Sequence, residues 1–167
     1  MLSGPTTDII VAIPKGWHQV INSANPIVPQ MVAPTTCMGS AELSCALGLT
    51  RLASLTAANA EAAVQAVEQS ITSSAGVTVG ASTTKGPGKV GRRDGFVHRF
   101  EFSNSSGKLT CEIAAVASGP STPEANGDRE FSVVLVWVSD VSGAPSPGVI
   151  DEIVNSAKVA GGTPAAS

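Results

Sequence analysis

His98 is the residue whose type and position most favour chemistry. It lies in the alternating segment from Phe96 to Phe102, so that Phe96, His98, Phe100 and Phe102 share one face of a predicted strand. A histidine on such a face can be a polar group in an apolar ligand pocket, where it would bond a sugar hydroxyl. It can equally be a buried core histidine with a backbone partner. The sequence leaves both interpretations open.

Hydrolytic chemistry by a Ser/His/acid triad would have to use His18 or His98, the two histidines of the chain. No Gly-x-Ser-x-Gly motif presents a nucleophilic serine. The side chains of Asp151 and Glu152 do not form a carboxylate pair, because adjacent helical positions do not face each other. We therefore expect no catalytic residue and no enzymatic activity. A hydrolase that uses His98 is the alternative. A serine or cysteine and a carboxylate within hydrogen-bond reach of His98 would favour it, whereas a His98 sealed in the core would rule it out.

The cysteines favour one disulfide rather than a metal site. Cys37 and Cys45 bracket a short loop with little apolar content, whereas Cys111 lies in a strand pattern as a small core residue. We predict a Cys37–Cys45 disulfide; three free buried thiols are the alternative. No Cys-x-x-Cys pair is present, and neither histidine lies at ligand spacing from a cysteine. We expect no metal and no cofactor.

Positive charge is concentrated in one segment. Half of the ten Lys and Arg residues lie between positions 85 and 99, namely Lys85, Lys89, Arg92, Arg93 and Arg99. The segment from Lys85 to Lys89 is glycine-rich, but it lacks the spacing and the Ser/Thr of a phosphate-binding loop. It is instead predicted to be a turn. This basic hairpin could contact acidic partners or lipid head groups, or it could simply be a solvated rim.

The composition excludes several classes of protein. The 167 residues are 43% hydrophobic and 14% charged, with a net charge of −3. Such a chain is too apolar to be disordered and too acidic for a general nucleic-acid binder. No apolar run is long enough to span a membrane. The segment from Met1 to Thr7 has no signal-peptide character, which favours the processed form of an exported protein, with the cytoplasm as the alternative.

The pattern of elements predicts one α+β domain over residues 1–160, with a flexible tail at 161–167. A β-hairpin over 8–21 precedes an extended segment, a further strand and a helix from Thr56 to Gly76, capped by Thr56 or Asn59. A four-strand meander and a second helix, capped by Ser146, follow. The segment from Glu130 to Asp140 is apolar on both faces, which is typical of a central strand. We therefore predict α/β/α layers, with helices on both faces of a mostly antiparallel sheet of about six strands.

One motif, Pro14-Lys15-Gly16-Trp17 between two strands, together with this element order, resembles the PsbP-like fold. Within that fold the chain is most similar to the LpqN/LpqT-type lipoproteins of mycobacteria and related actinobacteria. The lipobox cysteine of those lipoproteins is absent from this chain. The resemblance implies an envelope protein that binds trehalose-containing lipids or partners of the lipid-transport machinery.

The sequence thus predicts a non-enzymatic binding or adaptor protein of the cell envelope, or a secreted one, with a glycolipid or an envelope protein as its ligand. The predicted ligand-binding residues are aromatic or imidazole side chains: Trp17, Phe96, His98, Phe100, Phe102 and Trp137. The alternative is a protein-interaction module that uses Lys85, Lys89, Arg92 and Arg93 and takes no small ligand.

Overall fold

A computed structural model describes residues 1–4, 7–21, 28–35, 45–119 and 126–160. Two helices and ten strands lie in these ranges, and they follow one another along the chain as β1 (Leu2–Gly4), β2 (Thr7–Val11), β3 (His18–Val20), β4 (Gln30–Val32), β5 (Gly48–Ala57), α1 (Ala60–Thr72), β6 (Thr78–Val90), β7 (Arg93–Asn104), β8 (Gly107–Ala117), β9 (Arg129–Ser139), α2 (Gly148–Asn155) and β10 (Lys158–Val159).

The strands form two antiparallel sheets. The larger has seven strands in the order β3-β4-β5-β9-β8-β7-β6, and the smaller has three in the order β1-β2-β10. The predicted α+β class and the mostly antiparallel pairing are confirmed, although the fold is richer in sheet than predicted. The tail at 161–167 lies outside the described residues, and the single-domain assignment stays a prediction.

The apolar residues of β9 place it at the centre of the larger sheet, as predicted. Phe131 and Val133 belong to an apolar cluster that includes Ala63 and Val64 of α1. Val134 belongs to a second cluster, which includes Ile150 and other residues of α2. Successive residues of a strand point to opposite faces, so β9 is covered on both sides.

Helix α1 begins where its cap predicts. Asn59 Oδ1 accepts a hydrogen bond from the backbone N–H of Ala62 at 2.9 Å, which identifies Asn59 rather than Thr56 as the N-cap. In α2 the predicted cap is wrong by one residue. Pro147 occupies the N-cap position there, and no side chain caps the helix.

One predicted hairpin and one predicted turn are wrong. Strands β2 and β3 do not form a hairpin, because β2 pairs with β1 and β10 whereas β3 pairs with β4. The segment from Lys85 to Lys89 is not a turn but part of β6, and the chain reverses at Gly91 and Arg92. Pro87 is tolerated within this strand because β6 is an edge strand, where a missing N–H costs no hydrogen bond with a neighbouring strand.

The β6–β7 turn is joined to the end of α2 through Gly91. Its φ is +60°, its N–H donates to Val154 O at 2.9 Å, and a Cβ built on it would lie 1.9 Å from Ala157 O. Gly91→Ala should therefore combine left-handed strain with a backbone clash and lower the free energy of unfolding by roughly 3 kcal/mol.

Gly143→Ala is the matched control for this prediction. Gly143 also has positive φ (+88°), but nothing lies within 4 Å of the added Cβ. Gly143→Ala should lower the free energy of unfolding by only about 1–2 kcal/mol. Equal losses for the two variants in urea unfolding would contradict a tight contact between this turn and α2.

Candidate functional site

Three side chains from α1, β6 and β7 form a hydrogen-bonded row centred on His98. Ser82 Oγ lies 2.9 Å from His98 Nε2, and Glu68 Oε2 lies 3.0 Å from His98 Nδ1. Each ring nitrogen therefore has one side-chain partner. This is the arrangement that the sequence analysis named as favouring a hydrolase.

The hydrogen-bond partners Ser82 and Glu68 determine which ring nitrogen of His98 carries the proton. An ionised carboxylate can only accept hydrogen bonds, so the proton of a neutral His98 lies on Nδ1 and is donated to Glu68. Nε2 then carries the lone pair and accepts the hydroxyl proton of Ser82. The row runs from a hydroxyl donor through an imidazole to a carboxylate.

The imidazole is fixed, whereas the serine faces solvent. His98 is 4% exposed, and its ring centroid lies 4.8 Å from that of Phe100. Ser82 lies in the fully exposed part of β6, the segment 78–85. His98 is thus a buried histidine, as one interpretation held, but its partners are side chains and not the backbone. It is not sealed in the core, because its Nε2 contacts the hydroxyl of Ser82 on the exposed strand.

The strand around Ser82 is irregular. Its register against β7 shifts between Val79 and Ser82 and again between Ser82 and Thr84. Such bulges redirect side chains and leave the extra residue outside the ladder, and they are common beside active sites. Here they direct Ser82 towards His98, although Phe100 is its register partner.

The structure does not gather the predicted ligand-binding residues around one cavity. Phe96, Phe100, Phe102 and Trp137 pack in or against the cluster beneath α1, whereas Trp17 belongs to the cluster beneath α2. One pocket among the described residues measures about 220 Å³ and lies beside the segment 138–147. None of the predicted ligand-binding residues lines it.

Acidic neighbours neutralise much of the predicted basic hairpin. Lys89 lies 2.6 Å from Asp94, and Lys85 lies 3.9 Å from Glu68. Arg92 is exposed at the turn, whereas Nη1 of Arg93 is buried and has no hydrogen-bond partner among the described residues. The remaining positive charge is therefore smaller than the sequence suggests.

Arg99 is the centre of a partly buried ionic network on the opposite face from His98. Its Nε lies 2.6 Å from Glu112 Oε2, and its Nη2 lies 2.7 Å from Asp151 Oδ1. Burial lowers the pKa of Arg99, but its hydrogen bonds and attraction to Asp151 and Glu112 outweigh burial and leave that pKa raised. Burial raises the pKa of Glu112, against the charge and hydrogen bond of Arg99. Arg99 thus connects β7 and β8 to α2 and is not part of a free basic surface.

The cysteines agree with the prediction as far as the structure describes them. Cys111 is a fully buried free thiol, and burial raises its pKa. Cys45 is disulfide-bonded. Its predicted partner Cys37 lies outside the described residues, so the pairing stays a prediction. No cluster of three or more His, Cys, Asp or Glu side chains suited to a metal occurs within the described ranges.

Sequence reasoning identified His98 but missed Ser82 and Glu68. The Gly-x-Ser-x-Gly motif marks a serine at a sharp turn between a strand and a helix, whereas Ser82 lies within a bulged strand. Glu68 was placed off the apolar stripe of α1. Its position four residues after the buried Val64 was the available signal, because i and i+4 share a helix face.

Comparisons with known proteins support the fold. No protein-family model matches the chain, and no curated protein matches its sequence. Among solved structures, one similar chain is LpqN of Mycobacterium tuberculosis, described as involved in cell envelope biogenesis. The TM-score is 0.53 at 11% identity, over 91% of this chain and 83% of that one. The chain thus has a fold similar to that of LpqN, as predicted. No helix in the described ranges is long and apolar enough to cross a membrane.

Proposed function

We propose that this chain is a binding or adaptor domain of the cell envelope, and that its ligand is an extended segment of another protein. The likeness to LpqN supports the envelope assignment and an envelope or secreted location. This role needs no catalytic step.

The open edge of β6 carries the proposed mode of binding. β6 is the last strand of the seven-stranded sheet, so no strand among the described residues pairs with its outer N–H and C=O groups. Its segment 78–85 is exposed at every position, and 78–84 contains neither charge nor proline to discourage pairing. An extended segment added here would gain main-chain hydrogen bonds, as in other cases of strand addition.

Charge favours an acidic partner segment. β6 contains no acidic residue, and Arg92, exposed in the following turn, has no ion pair among the described residues. Lys85 and Lys89 contribute less, because they already lie beside Glu68 and Asp94. The glycolipid predicted from the sequence receives less support. None of the predicted ligand-binding residues lines the pocket beside 138–147, and its volume of about 220 Å³ is below the ~300–1,000 Å³ of typical small-molecule sites.

Site-specific photo-crosslinking in cells of the source organism tests this proposal. A photoreactive residue at Thr84, on the exposed edge, should give a discrete adduct with one protein. The same probe at Gln65, exposed on α1, should not give that adduct. No adduct at Thr84, or the same adduct at both positions, would overturn the proposal.

Two exposed valines provide a matched pair of variants. Val79, 48% exposed, lies on the edge strand, whereas Val141, 44% exposed, lies outside it. Val79→Glu should repel an acidic segment and reduce the Thr84 adduct about fivefold, as a like-charge cross-strand contact of ~1 kcal/mol predicts. Val141→Glu should leave the adduct unchanged.

A further inference from the structure

We propose that Ser82, His98 and Glu68 form a nucleophilic site that cleaves short-chain carboxylic esters. This activity goes beyond the adaptor role and does not depend on it. It also reverses the expectation that the protein has no enzymatic activity.

The order of the hydrogen bonds carries the inference. A serine hydroxyl becomes a nucleophile when a neutral imidazole accepts its proton and a third group fixes the imidazole in the required tautomer. Ser82 Oγ donates to His98 Nε2 over 2.9 Å, and His98 Nδ1 donates to Glu68 over 3.0 Å. Both distances lie within the range that proton transfer requires.

The three groups lie on a helix and two strands rather than on loops. Glu68 belongs to α1, Ser82 to β6 and His98 to β7, where Phe100 packs against the imidazole. Rigid support of this kind keeps a base within reach of its nucleophile. A polar cluster that only joined α1 to the sheet would not need its hydroxyl on an exposed edge strand.

The bulges on both sides of Ser82 provide donors for the charge that develops on the substrate. Gly80, Ala81 and Thr83 have no register partner in β7. Backbone N–H groups beside a nucleophile can form an oxyanion hole, and the extra residue of a bulge does not pair in the ladder. We assign this role to the N–H groups flanking Ser82.

The proposed step balances without a cofactor. Ser82 Oγ attacks the ester carbonyl carbon, and His98 Nε2 takes the hydroxyl proton. The C–O bond to the alcohol then breaks, and the alcohol leaves with the proton from His98. Water, activated in the same way, releases the carboxylic acid and restores Ser82.

The surroundings of the site define the substrate class. The exposed segment 78–85 offers an open surface, and the pocket beside 138–147 does not include Ser82. An open surface gives little binding energy to a long acyl chain. Esters with small acyl groups, whose alcohol is a good leaving group, fit such a site best.

Phosphonylation by a fluorophosphonate, followed by intact-mass analysis, tests the nucleophile. The serine oxygen displaces fluoride, and a stable adduct remains. We expect one adduct per chain, mapped to the peptide that contains Ser82. Ser82→Ala should abolish it, whereas Ser105→Ala, which removes an exposed hydroxyl in the β7–β8 turn, should leave the labelling rate unchanged.

Glu68→Gln separates a positioning role from a structural one. It should slow labelling, and p-nitrophenyl acetate hydrolysis, by about 100-fold or more while the thermal unfolding midpoint changes little. Lack of an adduct on the wild type, an adduct on Ser82→Ala, or wild-type labelling of a folded Glu68→Gln would each overturn the proposal. Should Glu68→Gln fail to fold, the comparison of Ser82→Ala with Ser105→Ala still decides it, because Ser82 lies on an exposed edge.

Discussion

Phe100→Ala is expected to lower the free energy of unfolding by about 3–5 kcal/mol. Phe100 is 1% exposed and lies in the apolar cluster that joins β7 and β8 to Ala63 and Val64 of α1. Its ring also lies 6.2 Å from that of Phe102. Removing it deletes a large apolar surface and leaves a cavity in the core beneath α1.

Urea unfolding measures this loss, and Phe96→Ala is its control. Phe96 lies on the same strand and face but is only partly buried, so its loss should be clearly smaller. The ring of Phe100 also supports His98, so a folded Phe100→Ala protein should be labelled more slowly at Ser82. Equal losses of stability at Phe96 and Phe100 would contradict the packing described.

Arg99→Met is expected to destabilise the protein by a similar ~3–5 kcal/mol at neutral pH. The variant leaves Glu112, 7% exposed, without its cation at 2.6 Å. A buried carboxylate without a partner is costly, because burial removes the water that would otherwise solvate it.

The stability lost in Arg99→Met should increase as the pH rises. The pKa of Glu112 is higher in the folded protein than its ordinary value, so the folded state binds the proton more tightly. The contribution of Glu112 to stability therefore falls as the pH rises from the ordinary pKa of a glutamate to the higher pKa of Glu112 in the folded protein. Without Arg99 the folded pKa rises further. The difference between wild type and Arg99→Met should consequently grow with rising pH and shrink in acid.

Two further variants check this account. Asp151 is 57% exposed, and Asp151→Asn should cost no more than about 1 kcal/mol. The double variant Arg99→Met/Glu112→Met replaces the buried pair with apolar side chains and should recover much of the stability. A double variant as unstable as Arg99→Met alone would show that the unpaired carboxylate is not the cause.

The periodicity of the sequence predicted where helices and strands occur better than it predicted which strands pair. Apolar residues on both faces of the segment 130–140 correctly predicted a central strand. Of the two predicted helix caps, Thr56 and Asn59, the structure uses Asn59. The hairpin over 8–21 failed because a short connection suggests local pairing, whereas β2 pairs with β10 from the other end of the domain. The turn over 85–89 failed because glycine and proline signal turns in general but are tolerated on an edge strand.

The candidate site was predictable only in part. His98 was identified from its alternation with phenylalanines within one strand. Ser82 reaches it through two bulges, and Glu68 reaches it from a separate helix, so neither contact leaves a local pattern. The same limit explains why the sequence overestimates the free positive charge of the basic hairpin. The acidic side chains that neutralise Arg99 lie on β8 and α2, far from it in sequence.

The pairing of β2 with β10 has a consequence for the rate and order of folding. Val159 pairs with Ile9, 150 positions away along the chain. Closing so long a loop costs on the order of 4 kcal/mol of chain entropy in an otherwise unfolded chain. That cost falls once the hairpins β6–β7 and β7–β8 have formed and β9 has joined them, because the intervening chain is then already compact. The three-stranded sheet should therefore assemble last, in a domain whose many distant contacts make it a slow folder.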